Sequence, residues 1–308
     1  MTVTAALVKE LRARSGAGMM DCKKALAETS GDLDGAVDWL RTKGLAAAAK
    51  KSGRAAAEGL IGASISADGL TGRLVEVNSE TDFVSRNEQF QKYVEDVADL
   101  TDTADMDALK GKNYPGSERN VGDELTHLIS VIGENMNLRR AAHVAVKQGV
   151  VSAYVHNVAR DGLGKIGVLV ALESAGDQAI LGKAAKQIAM HVAASKPLAL
   201  SREDLDPQVI ERERAVLIEQ AQSSGKPKEI AEKMVEGRLR KYYEEVVLLE
   251  QVFIMDTDKK IADVVADAAK EANADVALTH YASFILGEGV EKKEEDFAAE
   301  VAATRGGV

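Results

Sequence analysis

Apolar residues along the first forty positions recur at spacings of three and four. Leu7, Val8 and Leu11 form one stripe, Met19, Cys22 and Leu26 a second, and Leu33, Ala36, Val37 and Leu40 a third. Each reads as the buried face of a short amphipathic helix. Ser15-Gly16 and Ser30-Gly31-Asp32 separate the three, and Gly44 is placed to end the last. The pattern predicts a three-helix domain over 1–44, small enough to be marginally stable alone. Residues 45–59 are rich in Ala, Lys and Gly. They read either as a partly helical linker or as a fourth helix packed on the first three.

From Leu60 the period changes to two. Ile61 to Ala67 and Arg73 to Asn78 flank Asp68-Gly69, a turn pair that predicts a hairpin. Helices are predicted over 88–100, 121–133 and 178–194, and strands over 139–146, 151–159 and 165–173. The polar stretch 102–122 reads as loop or short helices. A strand, an acidic residue, a short loop and an amphipathic helix follow one another at 73–100 and again at 165–195. Two related half-domains would explain the echo, and so would chance. These elements make an α+β core over 60–200.

Residues 201–252 predict an antiparallel helical hairpin. Asp206-Pro207 starts one helix, with Pro in the first turn where its missing N–H costs little. Ser223-Ser224-Gly225-Lys226-Pro227 breaks it. A second helix carries Ala231, Val235, Leu239, Tyr242, Val246, Leu249 and Phe253 at alternating steps of four and three, a heptad seam. In the first helix Val209 and Val216 fit a seam, while Glu213 and Gln220 interrupt it. The chain is then predicted to return to the core over 253–287, with a helix at 261–272 and a strand at 276–286. A charged helical module closes it at 288–308, its helix over 291–304.

Composition narrows the function classes. Of 308 residues, 45% are hydrophobic but only 4% aromatic, so the core is aliphatic. The net charge of −10 argues against a general nucleic-acid binder. Residues 1–58 nevertheless hold 10 basic and 7 acidic side chains, so a small basic head precedes an acidic body. One cysteine, Cys22, allows no disulfide framework and fits a reducing, cytoplasmic compartment. No apolar run approaches the roughly 18 residues of a membrane span, and the N-terminus lacks a signal-peptide core.

Catalytic chemistry is poorly represented. His127, His143, His156, His191 and His280 show no metal-ligand or nucleophile spacing. Gly162-Leu163-Gly164-Lys165-Ile166-Gly167 matches a dinucleotide fingerprint, but Ile166 to Leu172 continues as a strand rather than the helix such a site needs. No cofactor or metal site is expected. Two other features invite function. Met19 and Met20 are adjacent on one helix, so both cannot face its apolar stripe. They either split between core and rim or offer adaptable contact surface. Phe83, within Asn78-Ser79-Glu80-Thr81-Asp82-Phe83-Val84, either packs under the next helix or presents an aromatic ring at a loop tip.

Four segments together resemble one family. Met19-Met20-Asp21-Cys22-Lys23-Lys24-Ala25-Leu26, Glu76-Val77-Asn78 leading into Thr81-Asp82-Phe83-Val84, Ala189 to Pro197, and Gly225 to Arg238 are similar to signatures of the elongation factor Ts family. They follow the family's order and spread over nearly the whole chain. The resemblance implies a ubiquitin-associated-like head, a two-part α+β core and a helical hairpin. It implies a guanine-nucleotide exchange factor for the GTPase elongation factor Tu, with no covalent chemistry. By the same resemblance Thr81, Asp82, Phe83 and Val84 disturb the partner's magnesium site, and Arg12, Met19, Met20 and Lys23 contact it. His191, Ile254 and Met255 resemble further contacts, although His191 also reads as a satisfied core residue and Ile254-Met255 as the end of the hairpin. Self-association through the hairpin is a further expectation. The stretch 157–164 departs from the shorter turn the family leads one to expect. Two other classes compete: a helical scaffold, which would bind without changing nucleotide release, and an enzyme using His156 or His191, which would turn over a small substrate.

Overall fold

The structure, a computed structural model, describes residues 3–223 and 228–290. The expected hairpin turn at 224–227 and the terminal helix at 291–304 lie outside the described residues. The fold is α+β. It divides into two compact units that the chain enters alternately, one built from residues 1–62, 75–141 and the stretch from Ile285, the other from 63–74 and 142–284.

The first unit opens with three helices, α1 (Ala5–Ser15), α2 (Met19–Glu28) and α3 (Leu33–Lys51). Val8, Leu11, Cys22, Ala25, Leu26 and Ala36 close a small core among them. Thr4 caps α1 through its hydroxyl, and the Asp32 carboxylate accepts the N–H groups of Asp34 and Gly35 at the start of α3. The third helix does not stop at Gly44. It runs to Lys51, so Leu45 to Lys51 is helix continuous with α3. Gly44 serves close approach instead: a Cβ there would lie 3.1 Å from Cβ of Ser130 on α6 (Val121–Ile132). A glycine read as a helix end from sequence is here the point where two helices touch.

Strand β1 (Glu58–Ile65) and strand β2 (Thr71–Ser79) form the predicted hairpin around Asp68-Gly69. In the first unit β2 lies between β1 and β3 (Met136–Ala145). Helix α4 (Glu88–Leu100) buries Phe90, Tyr93, Val94 and Val97, one face at helical spacing. The segment after it is packed rather than loose. It holds a short helix α5 (Met106–Lys110), and Tyr114 stacks on Tyr93 with ring centroids 5.7 Å apart. The Tyr114 hydroxyl donates to Asp96 at 2.5 Å.

The second unit centres on β4 (Gly149–His156) and β6 (Ile166–Ser174), paired antiparallel with Gly149 opposite Glu173 and His156 opposite Ile166. Strand β7 (Val276–Ile285) adds to β6. The short β5 (Leu163–Gly164) joins β1, the Ala63 N–H donating to the Gly162 carbonyl. The glycines of 162–167 thus lead into a strand and open no helix. Helix α7 (Gln178–Ser195) and helix α10 (Ile261–Ala272) bury Ala185, Ile188, Val192, Ile261 and Val265 in one cluster with Val168, Val170 and Leu172.

Helices α8 (Pro207–Ser223) and α9 (Lys228–Val246) pack through their own seam of Leu217, Ala221, Val235 and Leu239, flanked by Ile210 and Tyr242. Val216, expected in that seam, is exposed. The second helix also ends earlier than its heptads suggested. Leu249 and Phe253 lie beyond Val246 and pack with the α7 cluster.

Candidate functional site

The turn after β2 is built from short polar bonds. The Ser79 hydroxyl donates to the Thr81 carbonyl at 2.9 Å, and the Ser85 hydroxyl to the Asp82 carbonyl at 2.5 Å. Asp82–Arg86 winds into one 3₁₀ turn, and Asn87 then caps α4 by accepting the N–H groups of Gln89 and Phe90. Thr81 donates both its N–H and its hydroxyl to the two oxygens of Glu134, at 2.9 and 2.7 Å. Glu80 accepts the Asn135 N–H at 2.5 Å and faces the Arg54 guanidinium.

This bracing separates two neighbours. Val84 is 3% exposed and Phe83 is 75% exposed. Asp82 is exposed beside Phe83, and Thr81 is half-buried at the foot of the turn. The expectation of a ring under α4 therefore fails, and the place under the turn is filled by Val84.

The strand that leads into the turn carries a buried charge. Glu76 is fully buried on β2 and takes Arg139 at 3.0 Å, Arg140 at 2.5 Å, the Asn78 amide at 2.9 Å and the Gly287 N–H at 2.9 Å. Burial works to raise its pKa, but the Gly287 N–H, Asn78 and Arg140 together hold it below the ordinary glutamate value. The sequence singled out Glu76 as part of a motif but assigned it no task.

On the head, Met19 and Met20 are both exposed, at 61% and 74%. Neither joins the core, because Cys22, Ala25 and Leu26 already fill the apolar stripe of α2. Arg12 and Lys23 are exposed as well. This leaves two thioethers and two cations on the surface of the head.

In the second unit the structure brings three expected residues together. His191 is fully buried on α7. Its Nδ1 accepts the Ile254 N–H at 3.3 Å, and its Nε2 lies 2.9 Å from the Gln251 side-chain oxygen. Ile254 and Met255 are exposed just beyond. His191 is thus the satisfied core residue of one sequence reading, and it also fixes the backbone that presents Ile254 and Met255. Burial lowers its pKa, while the Gln251 bond acts the other way. Sequence reasoning missed Gln251 and Glu134, since each acts across more than fifty positions. The Gly133 that ends α6 was the one local sign that a loop began at Glu134.

A family model described as Elongation factor TS matches residues 80–288, from the start of the Thr81 turn to the residue after Gly287. Curated relatives named elongation factor Ts align along nearly all of the chain. That of Rhodospirillum centenum is 61% identical over 306 residues, covering 99% of each chain. That of Paramagnetospirillum magneticum is 60% identical, covering 99% of this chain and 97% of its own. The protein of Agrobacterium fabrum is 54% identical, covering 99% of each.

The chain belongs to the elongation factor Ts family. Its work therefore lies in translation elongation, a part of protein biosynthesis. The family match spans the turn carrying Phe83, the buried His191 and the exposed Ile254 and Met255, while the head with Met19 and Met20 is matched by the full-length elongation factor Ts relatives. No helix among the described residues is long and apolar enough to cross a membrane.

Proposed function

We propose that this protein is a cytoplasmic guanine-nucleotide exchange factor that binds elongation factor Tu with GDP and speeds GDP release. The observation that carries this reading is Phe83, three-quarters exposed on a braced turn beside Asp82. An exposed, well-held aromatic ring is costly in water and pays little further ordering entropy on contact. Burying its roughly 150 Å² in an apolar slot of the partner stabilises the complex by about 3 to 4 kcal/mol. Spent on shifting a helix of the GTPase, that is enough to loosen GDP by more than about a hundredfold.

In this reading Thr81, Asp82, Phe83 and Val84 have separate tasks. Thr81 anchors the turn and Val84 plugs it to the body. Phe83 enters the partner, and Asp82 brings a carboxylate towards the magnesium region. GDP is held chiefly through phosphate and metal contacts, so misaligning those ligands releases it. No bond is made or broken, and excess GTP sets the direction of the reversible exchange. Met19, Met20, Arg12 and Lys23 dock the head, and Ile254 and Met255, held by His191, supply a second contact. The basic head speeds encounter with an acidic face of the partner.

Release of a fluorescent GDP from elongation factor Tu tests the proposal. The wild-type protein should accelerate release, and Phe83→Ala should lose most of the acceleration. No acceleration by wild type rejects exchange; equal acceleration by both rejects the wedge.

A further inference from the structure

Three consecutive residues at the end of α6 hold the foot of the Phe83 turn. Gly133 ends the helix in a left-handed conformation, φ +91°, and directs the chain toward β2. Glu134 follows, and both of its oxygens are taken by Thr81, one by the N–H and one by the hydroxyl. Asn135 gives its N–H to Glu80 and its side-chain amide to the Arg54 carbonyl. A carboxylate two residues past the last helical residue, next to the C-cap, is electrostatically disfavoured by the carbonyls there. Two charge-assisted bonds from Thr81 offset that cost, and they tie the residue immediately before the 3₁₀ turn to a rigid helix end.

We infer that Glu134 is a positioning residue for exchange: it fixes the angle at which Phe83 meets the GTPase without touching the partner itself. The inference rests on the wedge reading of Phe83. A ring whose mounting is loose can still bind, but it applies less of its contact energy to the partner's helix. Loss of Glu134 should therefore lower the maximal rate of GDP release more than it weakens association.

The test measures GDP release over a range of factor concentrations, using the full chain, for Glu134→Ala, Glu134→Gln, Thr81→Val, the double variant Glu134→Ala/Thr81→Val, and Phe83→Ala. Glu134→Ala should lower the saturating rate about tenfold, the size expected for losing charge-assisted bonds, with half-saturation moved less than about twofold. Glu134→Gln should keep most of the rate, since its amide oxygen accepts the Thr81 N–H and its NH₂ donates to the hydroxyl oxygen. The double variant should be no slower than Glu134→Ala, because the two residues form one connection. A wild-type saturating rate for Glu134→Ala beside a slow Phe83→Ala overturns the inference, as does a double variant whose two effects multiply. If Phe83→Ala itself exchanges normally, the wedge reading has failed and this role of Glu134 falls with it. That outcome is distinct from a slow Phe83→Ala beside a wild-type Glu134→Ala, which overturns the role of Glu134 alone. Should Glu134→Ala not fold, Thr81→Val alone decides: a reduced saturating rate supports the inference and a wild-type rate rejects it.

Discussion

The Ile254 N–H donates to Nδ1 of His191, and that bond assigns the proton of the ring to Nε2, where it meets the Gln251 oxygen. A second proton would have to go on Nδ1, facing a donor. Burial already holds the pKa below the ordinary histidine value. The folded state thus binds fewer protons than the unfolded chain as pH falls below about 6.5. The stabilisation is complete above that pH and is lost as pH drops through the depressed folded value. His127 on α6 is lowered by burial and by Arg119, so it adds in the same direction. Urea unfolding at pH 7.5 and pH 5.5 should show wild type losing more stability than His191→Gln. Equal losses would show that His191 is not kept neutral.

Phe83 and Val84 predict opposite phenotypes. Phe83→Ala removes a ring already in water and should change stability by less than about 0.5 kcal/mol. Val84→Ala opens space under the turn and should cost about 2 kcal/mol. Thermal unfolding separates them; a large loss for Phe83→Ala would place the ring in the core after all.

Glu76 should be among the most sensitive positions in the first unit. Glu76→Gln leaves Arg139 and Arg140 facing a neutral side chain, at a cost of roughly 3 kcal/mol. Its depressed pKa also fixes a sign. Its contribution is full above about 4.5 and is lost as pH falls through the folded value. Hydrogen exchange of the β2 amides reads this without assuming that both units unfold together. Unchanged protection in Glu76→Gln would refute it.

The hairpin arm can be shortened without touching the core. Val247, Leu248 and Gln251 are buried beyond its base, so excising 205–252 would damage the second unit. Replacing 214–238 with a short Gly-Ser linker spares Ile210 and Tyr243. If the arm mediates self-association, sedimentation equilibrium should show fewer chains per particle for the shortened protein than for wild type. An unchanged number of chains removes that role.

Helices α4, α7 and α10 were legible because each buries one clean stripe. The α8 seam was not, because Val209–Val216 and Ile210–Leu217 have the same spacing of seven. The structure uses the pair whose next step is Ala221 rather than Gln220. Gly44 misled for a related reason: its signal as a stop is local, whereas its contact with Ser130 is not. At the candidate site, the Thr81 turn was visible through its resemblance to the family. The exposure of Phe83 contradicted the usual fate of a phenylalanine. Nothing near Thr81 in the sequence pointed to Glu134, fifty-three residues on.

Glu76 and Gly287 are 211 residues apart. A ribosome adding 5 to 20 residues per second needs about 10 to 40 s to make the chain between them. Through that interval the Glu76 carboxylate can meet Asn78 and the two β3 arginines but lacks its Gly287 partner. The unit that emerges first is therefore completed last, and a nascent chain released before Ile285 is left without the closing strap of its own N-terminal half.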